Sequence, residues 1–321
     1  MIGGEIDIER RIPPLLLAAT AAAGLSACNM VTPVVSSAPP PSRPSISSPS
    51  GPSAESRKMA RYYSNVQADL LARGLMRADG GGPDTPFSRR QLVEDFVKIA
   101  LYDEYVAHNG SLMARQTESR LRRWEEPVRM GITYGDTIRP DQRRKTSAEI
   151  SGFARRLSRI TGLPISMTSP EAANFQILVL NEDERRNFGQ RLRQMVPGIE
   201  PMALRAITGM PRSTFCQVFA FSRGNSSTYS QAVAVIRGEH PDALRLSCIH
   251  EELAQGLGLA NDSPAARPSI FNDDEEFARL TYHDELLLKM LYDPRLRPGM
   301  KEAEARPILR RIASELMGGA S

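Results

Sequence analysis

A helical segment that ends in two glycines constrains the fold of this chain more than any other sequence feature. Residues 244–259 are apolar at helical spacing, and Gly256 and Gly258 break the pattern. Glu251 and Gln255 are four residues apart, so they share one face of the helix. We therefore expect a helix that packs in the core and carries polar side chains near its carboxyl end.

The other patterns predict a mixture of strands and helices. Apolar alternation and short apolar runs predict strands over residues 124–134, 165–168, 175–180, 214–221 and 231–237. Helical spacing predicts helices over residues 59–76, 87–106, 146–161, 182–195, 280–292 and 302–316. Because strands and helices do not alternate regularly, we expect an α+β fold with a mixed, twisted sheet and C-terminal helices, preceded by a small helical region.

The composition is that of an ordinary globular protein. The 321 residues are 41% hydrophobic and 24% charged, which excludes collagen, coiled coils and wholly disordered chains. The net charge of +4 and the lack of aromatic residues among the clustered arginines argue against a nucleic-acid partner. We expect these arginines to form solvated faces, with contact to acidic lipid headgroups as the alternative; they are Arg120, Arg122, Arg123, Arg139, Arg143 and Arg144.

The N-terminal residues indicate a lipid-anchored protein. Arg10 and Arg11 precede an apolar run, residues 15–25, that is too short to span a bilayer and is typical of a signal peptide. The run ends in Leu25-Ser26-Ala27-Cys28, which resembles the lipobox of bacterial lipoproteins, where the cysteine is acylated. The alternative is a buried N-terminal helix that ends in a free cysteine.

The segment after Cys28 predicts where the protein resides and how its chain is divided. Asn29 stands where aspartate marks inner-membrane retention in enteric lipoproteins, so an outer-membrane destination is favoured. Residues 32–57 are rich in proline and serine and should stay extended as a tether. We expect an anchored protein of the bacterial cell envelope that faces the periplasm. Its predicted regions are a signal peptide (1–27), the lipidated cysteine and tether (28–57), a helical region (58–120), a main domain (121–300) and a C-terminal helix (301–321).

The helix over residues 244–259 also carries a motif. The string from Glu251 to Asn261 resembles the zinc-binding helix of the metzincin metallopeptidases, His-Glu-x-x-His-x-x-Gly-x-x-His. Gly258 matches the glycine at which the chain turns, and Glu252 matches the catalytic-base glutamate. The three zinc-binding histidines are replaced, by Glu251, Gln255 and Asn261.

The resemblance continues beyond this helix. Ser269-Ile270-Phe271 stands where matrix-type metzincins make a tight turn under the metal, but it lacks the methionine of that turn. Residues 280–292 match the helix that follows the turn. More narrowly, residues 248–300 resemble an uncharacterised bacterial family, the domain-of-unknown-function 2927 family, which supplies no activity. Together these resemblances imply a degenerate metzincin-like domain over residues 121–300.

The replaced histidines argue against a catalytic zinc ion. One carboxylate and two amide oxygens form a harder and weaker ligand set, closer to what magnesium or calcium accepts. We expect no cofactor; if any binds, the resemblance implies a divalent metal at Glu251, Gln255 and Asn261. In an alternative register His250 would begin the motif, but Ala254 would then stand where the second ligand must be.

Two further hypotheses concern residues of the same helix. Glu251, Glu252 and Gln255 could form a buried polar network with no ligand. Cys216 and Cys248 remain as an even pair once Cys28 is acylated, and in an oxidising compartment they predict a disulfide that joins a strand to this helix. A reactive thiol is the alternative for the cysteines.

These features predict a lipid-anchored envelope protein with a zinc-less metallopeptidase-like domain. We expect it to bind a peptide or another envelope protein in its cleft without cutting it, a hypothesis that rests on analogy of fold. The first alternative is a metal-dependent hydrolase with an oxygen-rich metal site and Glu252 as general base. The second is a structural lipoprotein whose cleft is filled by its own side chains.

Overall fold

The centre of the fold is a five-stranded sheet with one antiparallel edge strand. A computed structural model describes residues 51–108 and 111–318. The strands are β1 (Tyr102–His108), β2 (Ser111–Glu118), β3 (Val128–Tyr134), β4 (Ile165–Thr168), β5 (Phe175–Leu180), β6 (Cys216–Ser222) and β7 (Tyr229–Arg237). The helices are α1 (Ala54–Ala72), α2 (Arg89–Ala100), α3 (Pro140–Thr161), α4 (Glu182–Asn187), α5 (Gly189–Met195), α6 (Pro201–Gly209), α7 (Asp242–Gln255), α8 (Tyr282–Leu291) and α9 (Glu302–Leu316).

The sheet has the strand order β4-β3-β5-β7-β6. All neighbouring pairs are parallel except β6 with β7, which is antiparallel and leaves β6 at one edge. The central strands are apolar on both faces, as parallel strands covered by helices have to be. In β5, for example, Ile177 and Val179 contribute to one core while Leu178 and Leu180 contribute to another. The prediction of an α+β fold with a mixed sheet is confirmed.

Helices cover both faces of this sheet. The larger core joins one sheet face to α2, α3, α7, α8 and α9. The smaller core joins the other face to α5, to α6 and to Phe188 between α4 and α5. The predicted strands of the sheet and the helices α3, α7, α8 and α9 all form, with ends shifted by a few residues. The helix predicted over residues 182–195 is divided into α4 and α5 at Phe188, and α6 was not predicted.

A β-hairpin replaces part of a predicted helix. The pattern predicts a helix over residues 87–106, but α2 ends at Ala100 and the chain then enters β1. Strands β1 and β2 pair antiparallel, with His108 opposite Ser111. The sequence between these two residues is Asn-Gly, which is a strong signal for a tight hairpin turn. That signal outweighs the helical spacing, so within the predicted helical region 58–120 the helices end at Ala100 and the rest contains the hairpin.

Helix α1 begins earlier than predicted. Ser53 caps it, because its hydroxyl accepts a hydrogen bond from the amide of Ser56 at 3.0 Å, so residues 54–57 belong to the helix rather than to the tether. The helix docks on the sheet domain through Tyr63, which is fully buried, and through the hydroxyl of Ser56, which donates to Glu239 at 2.8 Å. Gln67 accepts from the amide of Leu244 in the first turn of α7 at 3.0 Å.

The predicted signal peptide, the lipidated Cys28 and the tether up to residue 50 lie outside the described residues. Within residues 51–108 and 111–318, no helix combines the length and the apolar character that a membrane crossing requires.

Candidate functional site

The carboxyl end of α7 is held by aromatic residues from distant parts of the chain. The indole nitrogen of Trp124 donates to the carbonyl of Gly256 at 2.8 Å, and the hydroxyl of Tyr292 donates to the carbonyl of Leu257 at 2.9 Å. Gly258 then turns the chain with φ of +128°, a value that side chains rarely permit. Its predicted role as the turn glycine matches this geometry.

A cleft of about 930 Å³ lies between this end of α7 and the edge strand β6. Glu251, Glu252 and Gln255 all line it, so the structure brings together three of the predicted site residues. Glu252 is only 2% exposed, while Glu251 and Gln255 are half-buried. The predicted placement of these side chains on one side of the helix thus gives them a common cleft.

Asn261 is not brought to this cleft. Its side-chain amide donates to the carbonyl of Lys98 at 2.6 Å, and its backbone amide donates to the carbonyl of Ile99 at 3.1 Å. It therefore secures the chain against the end of α2. The next residue, Asp262, lines the cleft instead and accepts a hydrogen bond from the side-chain amide of Gln255 at 3.0 Å.

Two acidic residues of the loop before α8 complete the cleft. Asp273 and Glu275 line it and have φ of +62° and +58°, in the left-handed region that non-glycine residues seldom adopt. The sequence patterns did not single them out as site residues. The signal was the acidic string Asn272-Asp273-Asp274-Glu275, but its position relative to α7 depends on the path of the loop, which periodicity cannot predict.

The carboxylates of the cleft interact with one another. Burial raises the pKa of Glu251 well above its ordinary value, and the charges of Glu252, Asp262, Glu275 and Asp273 raise it further. Burial, together with Asp273 and Asp274, raises the pKa of Glu275 to about 7. Burial and Asp274 also raise the pKa of Asp273. Each of these three carboxyl groups therefore takes up a proton more readily than an isolated carboxyl group does.

Strand β6 forms the opposite wall and has an open edge. It pairs with β7 alone among the described strands, and each of its residues is partly exposed. Alternate residues point to opposite faces: Cys216, Val218 and Ala220 pack toward the core that contains α7, whereas Phe219 and Phe221 pack toward the other core. The outer edge of β6 thus presents backbone donors and acceptors along the cleft.

Cys216 and Cys248 form a disulfide, as predicted, which joins β6 to α7 across 32 positions of the sequence. The sulfur of Cys216 lies 4.0 Å from a carboxylate oxygen of Glu251. Cys216, Glu251 and Glu252 bring their ligand-type atoms within 4.8 Å of one another, which would suit a metal ion if the cysteine were a thiolate. Because the sulfur is already bonded to Cys248, it is not available as a thiolate ligand.

The remaining side chains of the cleft that could bind a metal do not fit a catalytic zinc ion. They are the carboxylates and the amide of Gln255, which already donates to Asp262, and no imidazole of the described residues lines the cleft. Catalytic zinc sites rest on three protein ligands that include neutral imidazoles. The nearest histidine in sequence, His250, is buried and faces other partners. Its ring stacks on that of Phe153 with the ring centroids 3.9 Å apart, and its Nδ1 accepts a hydrogen bond from the amide of Leu280 at 3.0 Å.

The segment between the glycine turn and α8 is organised by a second network of acidic residues. Asp284 accepts hydrogen bonds from the hydroxyl of Ser269 at 2.6 Å and from the amide of Ile270 at 3.1 Å, which fixes the chain where it bends at residues 270–271. The buried imidazole of His283 lies 3.1 Å from Asp95 of α2 and 3.6 Å from Asp284. Burial lowers the pKa of His283, but the two carboxylates outweigh that effect and raise it to about 9. This charged group is structural, since it does not line the cleft.

Comparison with known proteins places the chain in one family. No curated protein and no solved structure matches it. The sequence model of one family, described as "Protein of unknown function (DUF2927)", matches residues 89–311, from the first residue of α2 into α9. The match includes the sheet, the motif helix α7 and the acidic loop before α8. Since it covers more than half of the sequence, the chain belongs to the DUF2927 family.

Proposed function

We propose that the domain is a zincin-like scaffold that has lost its zinc ligands and binds an extended peptide segment without hydrolysing it. The observation that carries the proposal is the open edge of β6, which lines the cleft opposite the polar end of α7. A peptide can bind such an edge as an added strand, because its backbone supplies the hydrogen bonds that the edge lacks.

The order of elements around the cleft supports the zincin-like scaffold. The antiparallel edge strand β6 follows the parallel strands β3, β4 and β5, and the parallel strand β7 comes after it. Helix α7, which ends in a glycine turn, then follows β7. A bend at residues 270–271 and the helix α8 then follow, in the order that the metzincin resemblance implies. The replaced ligands support the loss of hydrolysis, because no histidine within residues 51–108 and 111–318 lines the cleft and Asn261 is bonded to Lys98.

Peptide binding along β6 can be tested with matched backbones. The probe is a fluorescein-labelled ten-residue peptide of alternating threonine and valine, and its binding to the full chain is measured by fluorescence anisotropy. Two control peptides have the same sequence with every second amide N-methylated. One carries the methyl groups at the odd-numbered positions and the other at the even-numbered positions, and these are the two phases. We expect one N-methylated phase to bind at least about tenfold more weakly, because it removes the hydrogen bonds to β6. Equal affinity of all three peptides, or no binding, would contradict strand addition.

A separate measurement addresses hydrolysis. The alternative is a metal-dependent hydrolase that uses oxygen ligands and Glu252 as general base. Elemental analysis of the protein purified without chelator is compared with that of Gln255→Ala and Glu252→Ala variants. Stoichiometric metal that is lost in the Gln255→Ala variant, together with peptide cleavage that is lost in the Glu252→Ala variant, would establish the hydrolase and overturn the non-catalytic proposal.

We also propose that Cys28 is lipidated and anchors the protein in the bacterial cell envelope, facing the periplasm, with the outer membrane favoured. The string Leu25-Ser26-Ala27-Cys28 supports the anchor, and the disulfide supports an oxidising compartment. Membrane fractionation of a Cys28→Ala variant tests it: the variant should leave the membrane fraction. Unchanged fractionation of the variant would reject the anchor.

A further inference from the structure

We propose that the peptide bound along β6 inserts a lysine or arginine side chain between the end of α7 and the acidic loop before α8. This inference rests on the proposed function and adds the chemistry of the ligand. The open strand edge provides the site, and the charge of the cleft determines which side chain it accepts.

The charge of the cleft is strongly one-sided. Among the described residues, seven carboxylates line it and only one guanidinium, although the whole chain carries a net charge of +4. The acidic residues are Asp103, Glu200, Glu251, Glu252, Asp262, Asp273 and Glu275. The basic residue is Arg122, and it is already engaged, because it donates to Asp103 at 2.6 and 3.3 Å. A cationic ligand would therefore find a complementary surface rather than a balanced one.

The acidic groups converge on one place instead of being spread over the walls. Ligand-type atoms of Glu251 and Glu252 lie within 4.8 Å of each other, and Asp262 accepts a hydrogen bond from Gln255, one helical turn from Glu251. The acidic residues at this end of the cleft come from three separate segments, namely α7, the stretch after the glycine turn, and the loop at 273–275. Crowding carboxylates in a partly buried space is unfavourable, and an ammonium or guanidinium group among them would relieve that repulsion.

The position of this group relative to β6 follows from the strand. Cys216 is the first residue of β6, and its sulfur lies 4.0 Å from Glu251. Cys216, Val218 and Ala220 all project toward the α7 side of the sheet. An added strand repeats this alternation, so every second peptide side chain projects the same way. The one nearest Cys216 would reach Glu251, and those further along would lie beside the small apolar side chains of Val218 and Ala220.

The test compares a charged side chain with a neutral one of the same shape. The threonine-valine peptide is made with a single arginine at each of three successive central positions, and again with citrulline at the same positions. Citrulline keeps the size and the planar end group of arginine but has no charge. We expect the arginine peptide of at least one register to bind the full chain about tenfold more tightly than its citrulline counterpart, with the difference decreasing at high salt.

Variants of the protein locate the effect. Asp273→Asn with Glu275→Gln replaces two acidic groups of the cleft that belong to one loop, and the asparagine suits the left-handed backbone there. This double variant should reduce the preference for arginine to less than about threefold. Asp274→Asn is the matched control, since Asp274 belongs to the same loop but does not line the cleft. Its charge raises the pKa of Asp273 and Glu275, so its removal leaves those two carboxylates more fully ionised, and the preference should be kept or increased.

The outcomes separate the two proposals. Equal affinity for arginine and citrulline peptides overturns this inference and leaves strand addition standing. A preference for arginine that the double variant retains in full also overturns it, because the charge would then act elsewhere. If neither peptide binds, the proposed function fails and the inference fails with it.

Discussion

The α-carbon of Gly258 lies against the backbone carbonyl of Arg122, where the chain leaves the turn after α7. A side-chain carbon at this position would lie 2.4 Å from that oxygen, well inside contact distance. The close approach joins the motif helix to the segment before β3, so Gly258 is required both by its φ of +128° and by its neighbour.

Replacing Gly258 by alanine should therefore destabilise the protein strongly. We expect Gly258→Ala to lower the free energy of unfolding by about 3 kcal/mol, because it adds backbone strain to a clash with a backbone atom. Urea denaturation measures the change. Gly152→Ala is the control. A side-chain carbon added at Gly152, inside α3, would lie 4.0 Å from Nη2 of Arg155, so alanine fits there and should stabilise the helix by up to about 1 kcal/mol. A Gly258→Ala protein as stable as the control would contradict the predicted clash.

Much of the fold could be predicted from sequence because its elements carry strong local patterns. The sequence of β3 alternates between apolar and other residues, β5 is apolar apart from Gln176, and α9 has regular helical spacing. The hairpin of β1 and β2 was missed because apolar residues before it happen to fall at helical spacing. Helix α6 was missed because nine residues are too few for a clear period.

The site was predictable only where it lies on one helix. Glu251, Glu252 and Gln255 share the cleft because the geometry of α7 requires it. Asp262, Asp273 and Glu275 come from loops whose paths are set by tertiary contacts. Asn261 and Asp262 are adjacent in sequence, and only the hydrogen bonds of Asn261 to α2 decide which of them faces the cleft.

A metal-binding graft can test this choice between neighbours. Histidines placed by Glu251→His, Gln255→His and Asp262→His should bind zinc at least about tenfold more tightly than histidines placed by Glu251→His, Gln255→His and Asn261→His. The reason is that residue 262 faces Gln255, whereas residue 261 faces Lys98. Competition with a chromophoric chelator measures both affinities. Tighter binding by the variant with histidine at 261 would mean that residue 261, and not residue 262, faces residues 251 and 255.

The buried His283 should make stability depend on pH in the alkaline range. Its pKa is raised from 6.5 to about 9, so its charged form stabilises the folded state fully below pH 6.5. That contribution, on the order of 3 kcal/mol, should be lost as the pH rises through about 9. The difference in unfolding free energy between the natural protein and a His283→Gln variant should therefore shrink between pH 6.5 and 9.

The control repeats the comparison in the Asp95→Asn background, with and without His283→Gln. Asp95 lies 3.1 Å from His283 and is one of the two carboxylates beside it. In that background the pH dependence assigned to His283 should be weaker. A stability difference between the natural and His283→Gln proteins that stays constant from pH 6.5 to 9 would contradict a charged His283.

Loss of the disulfide should destabilise the protein without changing its fold. We expect the double variant Cys216→Ser and Cys248→Ser to be less stable by about 3 kcal/mol, because the bond closes a loop of 32 positions in the unfolded chain. Thermal denaturation with and without reductant measures the effect. Reductant should lower the melting temperature of the natural protein and leave that of the double variant unchanged. Free thiols at both Cys216 and Cys248 in the untreated natural protein would disprove the bond.

The disulfide also has a consequence for how a ligand would enter. It joins β6 to α7, and these two elements are the facing walls of the cleft. The bond therefore limits how far these two walls can separate at the Cys216 end of β6 to admit a folded ligand. In the proposed mode of binding, the conformational entropy lost then falls on the peptide. A segment that is already extended before it arrives, or one presented by an unfolding partner, has the advantage over a segment that must first be released from its own fold.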